Sequence, residues 1–194
     1  GMGVSRRQML IASGIVGAAV AVPVAQHVGW GMRRFNADGP QLGSPRPGSW
    51  SNWAGNQTAT PNAIAAPGSE SELADLMKSA VLPLRPVGSG HSWTGLAPSE
   101  GTIVDVSRFA GLIDRDAEAR TATLGAGTRL RAACRELSEA GLAFSNLPDI
   151  DVQTLAGLFS TATHGTGRDL PPLHNAIVGF RLATPSGELI DVTG

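Results

Sequence analysis

The sequence predicts an α+β fold built from short helices and strands. Two segments carry the apolar spacing of amphipathic helices, one after Ser69 and one after Thr128. Around them lie short alternating or β-branched segments, bounded by glycine and proline, that are typical of strands. The order of these segments is irregular, without the repeated strand-helix alternation that would indicate a doubly wound parallel sheet.

Composition narrows the class of protein. The 194 residues are 42% hydrophobic, which is enough for one globular domain with its own core. The formal net charge of -1 argues against nucleic-acid binding, which normally requires a basic face. The single cysteine, Cys134, excludes an intrachain disulfide framework and a cysteine-based metal cluster, and we predict no metal site.

The N-terminus resembles an export signal. Arg6 and Arg7 precede an apolar, Gly/Ala-rich run that reaches Trp30 without a charged residue, as in a twin-arginine signal. An ordinary membrane anchor is the alternative, because residues 8–32 are long enough to span a bilayer. We assign residues 1–35 to one of these two functions. The protein is then expected outside the cytoplasm, secreted or membrane-tethered, with the twin-arginine machinery as its export partner.

Residues 36–50 are rich in glycine, proline and serine, the composition of a flexible linker. The globular domain is therefore expected near Trp50 or Trp53 and assigned to residues 51–194. Ser69 and Glu72 form a capping box that begins the first helix. Strands follow at residues 84–87 and 102–106. The apolar face of the first helix comprises Leu73, Leu76, Met77 and Ala80.

The second half of the domain contains further sequence patterns that predict strands and a helix. Residues 120–124 alternate polar and apolar side chains before two glycines and predict a half-buried strand. Thr128 is predicted to cap the second helix, which Gly141 ends. Residues 179–194 indicate a strand, a Pro-Ser-Gly turn and another strand. We expect the chain to be the front part of a longer protein. The second helix has an apolar face of Leu130, Ala133, Cys134 and Leu137.

The run "PVGSGHSWTG" at residues 86–95 invites two other interpretations. A nucleophilic Ser92 requires the pattern G-x-S-x-G, but Gly95 comes one residue too late. A dinucleotide-binding Rossmann turn at Gly88 requires a third glycine and a following helix, and both are missing. We therefore interpret residues 88–92 as a glycine-bracketed loop.

A second stretch, residues 154–167, consists almost entirely of small or hydroxylated side chains. Small side chains let backbone amides come close to an anion. Two such loops, at 88–92 and 154–167, are predicted to clamp a diphosphate between two lobes.

These motifs resemble a known family. Residues 85–92 and 161–167 are similar to the PCMH-type FAD-binding domain of the vanillyl-alcohol oxidase superfamily. Residues 52–56, "NWAGN", resemble its aldonolactone and alditol oxidase branch. The resemblance covers about residues 50–194 and implies two lobes with FAD between them. It also implies a separate C-terminal domain over the flavin, before which this chain is expected to end.

The resemblance makes His91 the expected site of a covalent bond to the flavin 8α-methyl carbon. A neutral imidazole is a competent nucleophile for such a bond. The alternative is that His91 only forms hydrogen bonds within its loop and FAD binds non-covalently. A second link through Cys134 is not expected, because this cysteine lies in mid-helix. The other residues implied in FAD binding are Gly88, Ser89, Gly90, Ser92, Asn146, Thr154, Gly157, Thr161, Ala162, Thr163 and His164, for which a structural role of His164 stays open.

The resemblance further implies an FAD-dependent oxidoreductase acting on an aldonolactone or alditol, such as D-arabinono-1,4-lactone or L-gulonolactone. Hydride would pass to the flavin, and electrons then to oxygen, a quinone or a cytochrome; the small Ser145 favours oxygen. Catalytic acids or bases are expected in the C-terminal domain, and none is assigned here. Two alternatives stay open: a related flavin enzyme for sterols, aromatic alcohols or hydroxy acids, and an exported, non-enzymatic module that binds another phosphate ligand.

Overall fold

The computed structural model describes residues 48–193, and these residues form the α+β arrangement that the sequence predicts. The strands are β1 (Trp50–Ser51), β2 (Thr58–Ala59), β3 (Ala63–Ala65), β4 (Leu84–Val87), β5 (Thr102–Asp105), β6 (Leu112–Asp116), β7 (Thr121–Leu124), β8 (Gly179–Ala183) and β9 (Leu189–Thr193). The helices are α1 (Glu70–Ser79), α2 (Leu130–Glu139) and α3 (Leu155–Ser160), with a 3-10 helix at Leu173–Ala176.

The first lobe contains a parallel sheet of three strands in the order β3-β5-β4. Parallel neighbours need a crossover connection, and α1 provides it between β3 and β4. The antiparallel pair β1-β2 lies beside this sheet. The buried apolar cluster of this lobe comprises Trp50, Ala59, Val87 and Ile103.

The second lobe joins the β6-β7 hairpin to helices α2 and α3 around a larger core. Leu124, Leu137, Leu155 and Leu158 are fully buried in it. Because this cluster is separate from that of the first lobe, the described residues have the two lobes that the family resemblance implies. The sequence did not indicate β1, β2, β3, β6 or the 3-10 helix, which are short or mostly exposed.

The predicted capping box at the start of α1 is present in a modified form. The Ser69 hydroxyl accepts a hydrogen bond from the Glu72 amide at 3.2 Å, as predicted. The Glu72 carboxylate accepts from the amide of Gly68 at 2.7 Å rather than from Ser69. Both bonds satisfy N–H groups that a helix leaves unpaired at its first turn.

The predicted C-terminal hairpin forms as β8 and β9 and is attached to α1. Arg181 on β8 donates to Glu70 at 3.0 Å and, in a bidentate pair, to Asp191 at 2.7 and 2.9 Å. The hydrogen bonds from Arg181 lower the pKa of the Asp191 carboxyl. The turn ends at Gly187, whose φ of +76° favours glycine.

The prediction that Thr128 caps α2 is wrong. Arg129 holds the cap position without a side-chain bond, and the buried Thr128 hydroxyl accepts from the Gly111 amide at 2.9 Å. The amides of Leu130 and Arg131 instead donate to the carbonyls of Gln153 and Asp151, at 2.8 and 2.9 Å. Carbonyl groups of a distant segment therefore accept the hydrogen bonds of the first amides of this helix.

The interpretation of residues 154–167 as one continuous loop is also wrong. Their first part is α3, because Leu155, Leu158 and Phe159 recur at helical spacing and are buried. Only the part after Thr161 is loop.

The proposed signal, residues 1–35, lies outside the described residues, as do residues 36–47 of the linker. Within residues 48–193, no helix is long and apolar enough to cross a membrane.

Candidate cofactor-binding site

The glycine-bracketed loop after β4 is held by the segment that follows β1. Asn52 is buried, and its side-chain amide donates to the Ser92 carbonyl at 2.8 Å. The Trp53 amide donates to the Gly90 carbonyl at 2.9 Å, and Asn56 donates to the Trp93 carbonyl at 3.0 Å. Segment 52–56 therefore holds the loop through hydrogen bonds to its carbonyl oxygens, and it accepts no hydrogen bond from the loop amides.

The amides of this loop remain available. In the described part of the chain, no hydrogen bond is donated by the backbone N–H groups of residues 88–92. Gly90 has a φ of +66°, a left-handed conformation that suits glycine. Consecutive amides with such a turn form a concave site for an anion. The loop is therefore suited to bind a phosphate group through its backbone.

Thr154, at the start of α3, joins the second lobe to this loop. A β-carbon at position 88 would collide with the Thr154 hydroxyl, so Gly88 allows the two segments to touch. Thr154 is buried and its backbone bridges Arg129, at the start of α2. This contact confirms no individual ligand role, but it shows that the two predicted loops meet.

The second group of predicted residues lies at the other end of α3. The Thr161 hydroxyl donates to the Gly157 carbonyl at 3.0 Å and lies 3.3 Å from the Thr163 hydroxyl. Ala162 has a φ of +53°, which costs a residue with a β-carbon about 1–2 kcal/mol. Such local strain is concentrated at ligand sites.

Asn146 belongs to this second group. It is buried, and its amide donates to the Pro171 carbonyl at 3.2 Å. A β-carbon at Gly165 would collide with the Asn146 side chain, so the loop after α3 lies against it. His164 is exposed, and its Nδ1 donates to the Gly165 carbonyl at 2.8 Å. That bond assigns the proton to Nδ1, because a carbonyl only accepts.

The predicted residues thus form two groups joined by α3. Residues 88–92 meet Thr154 at its N-terminal end, and Asn146 meets the loop 161–165 at its C-terminal end. A helix of this length spans about 9 Å. Within residues 48–193, no hydrogen bond or ring contact links His164 to His91.

His91 has an unusual environment. The ring stacks on Trp53, with centroids 4.6 Å apart and planes 19° apart. Burial and, secondarily, the positive charge of Arg129 lower its pKa below the ordinary 6.5. Both effects oppose the charged imidazolium, so His91 is neutral at neutral pH. The sequence did not indicate Trp53 or Arg129 as partners of His91, because their proximity comes from the fold.

Other candidate groups have different surroundings. The Ser92 hydroxyl lies 3.2 Å from the Thr94 hydroxyl, and within the described chain it has no imidazole partner that would activate it. Burial raises the pKa of the Cys134 thiol to about 11, which keeps it protonated. His174 is exposed. Gly125 and Gly127 serve packing, because a β-carbon there would strike the backbone after β5.

Comparison with known proteins identifies this architecture. Residues 61–193 match a family model described as an FAD binding domain. The chain belongs to that family, and FAD is its cofactor.

Several relatives have names that specify sugar lactones. L-gulono-1,4-lactone dehydrogenase of Mycobacterium tuberculosis is 39% identical over 147 residues, which cover 74% of this chain and 34% of that protein. L-galactono-1,4-lactone dehydrogenase 2 of Oryza sativa is 32% identical over 146 residues, covering 74% and 25%. D-arabinono-1,4-lactone oxidase of Eremothecium gossypii is 33% identical over 150 residues, covering 72% and 27%. The chain therefore spans about a third or less of these relatives.

A solved structure supports the fold. Cholesterol oxidase from B. sterolicum superposes with a TM-score of 0.61 at 20% identity, covering 75% of this chain and 32% of that one. The PCMH-type FAD-binding fold predicted from the sequence is confirmed.

The described residues fit FAD. The amides of residues 88–92 are unpaired within residues 48–193, and Gly88 lets their loop lie directly against Thr154. A dinucleotide diphosphate needs such a backbone surface. The cofactor-binding roles of individual residues remain predictions.

We expect Gly88→Ala to weaken FAD binding about tenfold or more, because the new methyl group forces the loop away from Thr154. Titration of flavin fluorescence in a His91→Ala background, in which no bond to His91 can form, measures this effect. Gly95→Ala is the control, since its methyl would lie 3.5 Å from the Gln57 side chain, an ordinary contact. Equal dissociation constants for the two variants would contradict the role of the Gly88–Thr154 contact.

We expect NMR titration to give His91 a pKa below 6.5, and Arg129→Gln to raise it, because a repelling charge is removed. Arg135→Gln, on the exposed side of α2, should leave it unchanged. Between the folded pKa and about pH 6.5, the unfolded chain binds a proton at His91 that the folded chain largely lacks. The contribution of His91 to the free energy of unfolding therefore falls as pH drops from 6.5 toward the folded pKa. A contribution that rises as pH drops through this range would refute the lowered pKa of His91.

Proposed function

We propose that the complete protein is an FAD-dependent oxidoreductase that oxidises an aldonolactone or a related sugar-derived alcohol. The observation that carries this proposal is the similarity, at 32–39% identity, to three proteins whose names specify 1,4-lactones. The chain spans only part of those proteins, so the activity belongs to the whole protein. When bound, FAD accepts two electrons from the substrate.

The residues of this chain bind and orient the cofactor. We assign the diphosphate to the amides of residues 88–92, which carry no competing hydrogen bond within residues 48–193. Thr154 fixes the position of this loop through Gly88. We assign Asn146 to the flavin and the loop 161–165 to a second contact with the cofactor, since α3 separates both from Gly88. None of these residues is assigned as the group that takes the substrate proton.

The electron acceptor is proposed as oxygen, with a quinone or cytochrome as the alternatives. Ser145 is exposed and precedes Asn146 in the second group. A side chain of this size leaves room beside the proposed flavin position, which supports access by oxygen.

Full-length protein should reduce a dye with L-gulono-, L-galactono- or D-arabinono-1,4-lactone at a kcat/KM at least about tenfold above that with xylitol or cholesterol. A tenfold difference corresponds to about 1.4 kcal/mol in transition-state binding. Oxygen consumption measured in parallel identifies the acceptor, and dye reduction without it would point to a quinone or cytochrome.

A specific observation favours one other substrate class. A long-chain alcohol oxidase of an uncultured marine euryarchaeote is 33% identical over 134 residues, covering 68% of this chain and 28% of that protein. Preference for a long-chain alcohol over all three lactones would replace the lactone proposal. Full-length protein that binds no flavin would instead favour a non-enzymatic module for another phosphate ligand.

We further propose that His91 carries the flavin covalently. Its ring is neutral at neutral pH and, within the described chain, neither of its nitrogens has a hydrogen-bond partner, so a nucleophilic nitrogen is available. The imidazole N–H and one C–H of the 8α-methyl group are replaced by one N–C bond. The two hydrogens and their electrons pass to an acceptor such as oxygen, which becomes hydrogen peroxide.

A denaturing gel soaked in acid should show flavin fluorescence at the protein band of the full-length enzyme, and His91→Ala should abolish it. His174→Ala is the control, because that exposed ring lies outside both groups of predicted cofactor residues and its loss should leave the band fluorescent. A dark wild-type band with releasable FAD would exclude the covalent link and retain the fold.

We propose that the protein is exported by the twin-arginine route and retained outside the cytoplasm as a secreted or membrane-tethered protein. The support is the Arg6-Arg7 pair ahead of an uncharged apolar run. A folded flavoprotein loaded in the cytoplasm is a suitable passenger for this route.

Changing Arg6-Arg7 to Lys-Lys should stop export of the full-length protein, measured by immunoblotting of cytoplasmic and exported fractions. The matched control is Lys-Lys at Arg33-Arg34, beyond the apolar run, which should be exported normally. Normal export of the Arg6-Arg7 variant would refute the twin-arginine assignment.

A further inference from the structure

His91 lies against a large aromatic side chain that is only partly covered. Trp53 is 45% exposed, and the rest of its surface is buried in contacts. The part that is covered includes the indole face on which the His91 ring stacks, at 4.6 Å and 19°. The stack therefore shields one face of the imidazole with a rigid surface.

Trp53 is itself fixed to the loop that carries His91. Its amide donates to the Gly90 carbonyl at 2.9 Å, directly before His91 in the chain. The neighbouring Asn52 is buried and donates to the Ser92 carbonyl, directly after His91. Because the backbone on both sides of His91 is tied to the segment carrying the indole, the two rings keep a constant relation.

We propose that Trp53 is a positioning residue for His91, holding the imidazole in one orientation so that its nitrogen forms the bond to the flavin. This inference rests on the covalent link proposed above. The step is the one already balanced there, with one N–C bond formed and two hydrogens and two electrons passed to oxygen. A nucleophile held in one rotamer reacts faster than one that samples several, because the ordering entropy has already been lost.

The chain offers a matched control for this inference. Trp93 is another exposed tryptophan of the same loop, 63% accessible, and meets Trp53 edge-on at 6.2 Å and 72°. Among the described residues, its ring makes no stacking contact with His91. Trp93→Ala removes a comparable aromatic surface while leaving the Trp53–His91 stack in place.

The test uses full-length protein produced under riboflavin limitation and mixed with FAD in air. Bound FAD is measured by absorbance, and linked FAD by acid-gel fluorescence, over time. Trp53→Ala should bind FAD but form the link roughly three- to tenfold more slowly, the range expected from loss of an aromatic stacking contact. Trp53→Phe, which keeps an aromatic face, should restore much of the rate, and Trp93→Ala should match the wild type.

A second readout keeps the inference open to refutation if Trp53→Ala folds poorly. In flavin-free protein, the Trp53 ring current should shift the His91 ring protons, and this shift should be reduced in Trp53→Phe and unchanged in Trp93→Ala. Linking at the wild-type rate in Trp53→Ala would overturn the positioning role. Parallel loss of bound and linked FAD that Trp53→Phe fails to restore would also overturn it, by showing a purely structural role. A wild type without linked flavin would overturn the covalent link itself, and this inference with it.

Discussion

The contact between Gly88 and Thr154 connects the two lobes, and the cofactor site depends on it. Gly88 follows β4, whose Val87 belongs to the core of the first lobe, while Thr154 precedes Leu155 in the core of the second. The two segments touch because position 88 has no β-carbon. The same contact leaves a surface of backbone amides beside the junction, which is what a dinucleotide diphosphate requires.

The environment of His91 follows from this junction and from the segment after β1. Arg129, whose backbone bridges Thr154, brings its positive charge close enough to disfavour the imidazolium, and burial acts in the same direction. Trp53 adds a rigid aromatic face from the first lobe. Charge and stacking thus come from separate lobes and act on a single ring. A reactive neutral imidazole here is consequently a product of both lobes.

Regular elements with strong local signals were predictable. The capping box and apolar face identified α1, and the hairpin β8-β9 was indicated by a turn sequence between two alternating segments. Predictions failed where a distant segment, rather than a neighbouring residue, supplied the hydrogen-bond partners of an element. Thr128 has the side chain of a helix cap, but its hydroxyl serves Gly111, and residues 151–153 bind the amides of α2. The small residues of α3 led to the prediction of a loop, but its apolar residues are buried on one face and stabilise a helix.

The sequence by itself determined the class of the protein: its glycine loops, each with an adjacent histidine, carry the resemblance to a two-lobed FAD-binding domain, and the family match bears this class out. Those features are local, because small side chains and turn conformations depend on adjacent residues. Only the tertiary structure decided which of these residues meet. It placed Thr154 against Gly88, Trp53 and Arg129 beside His91, and His164 at the far end of α3. Contacts between residues about 40 to 65 positions apart depend on how two cores pack, and no local pattern records that packing.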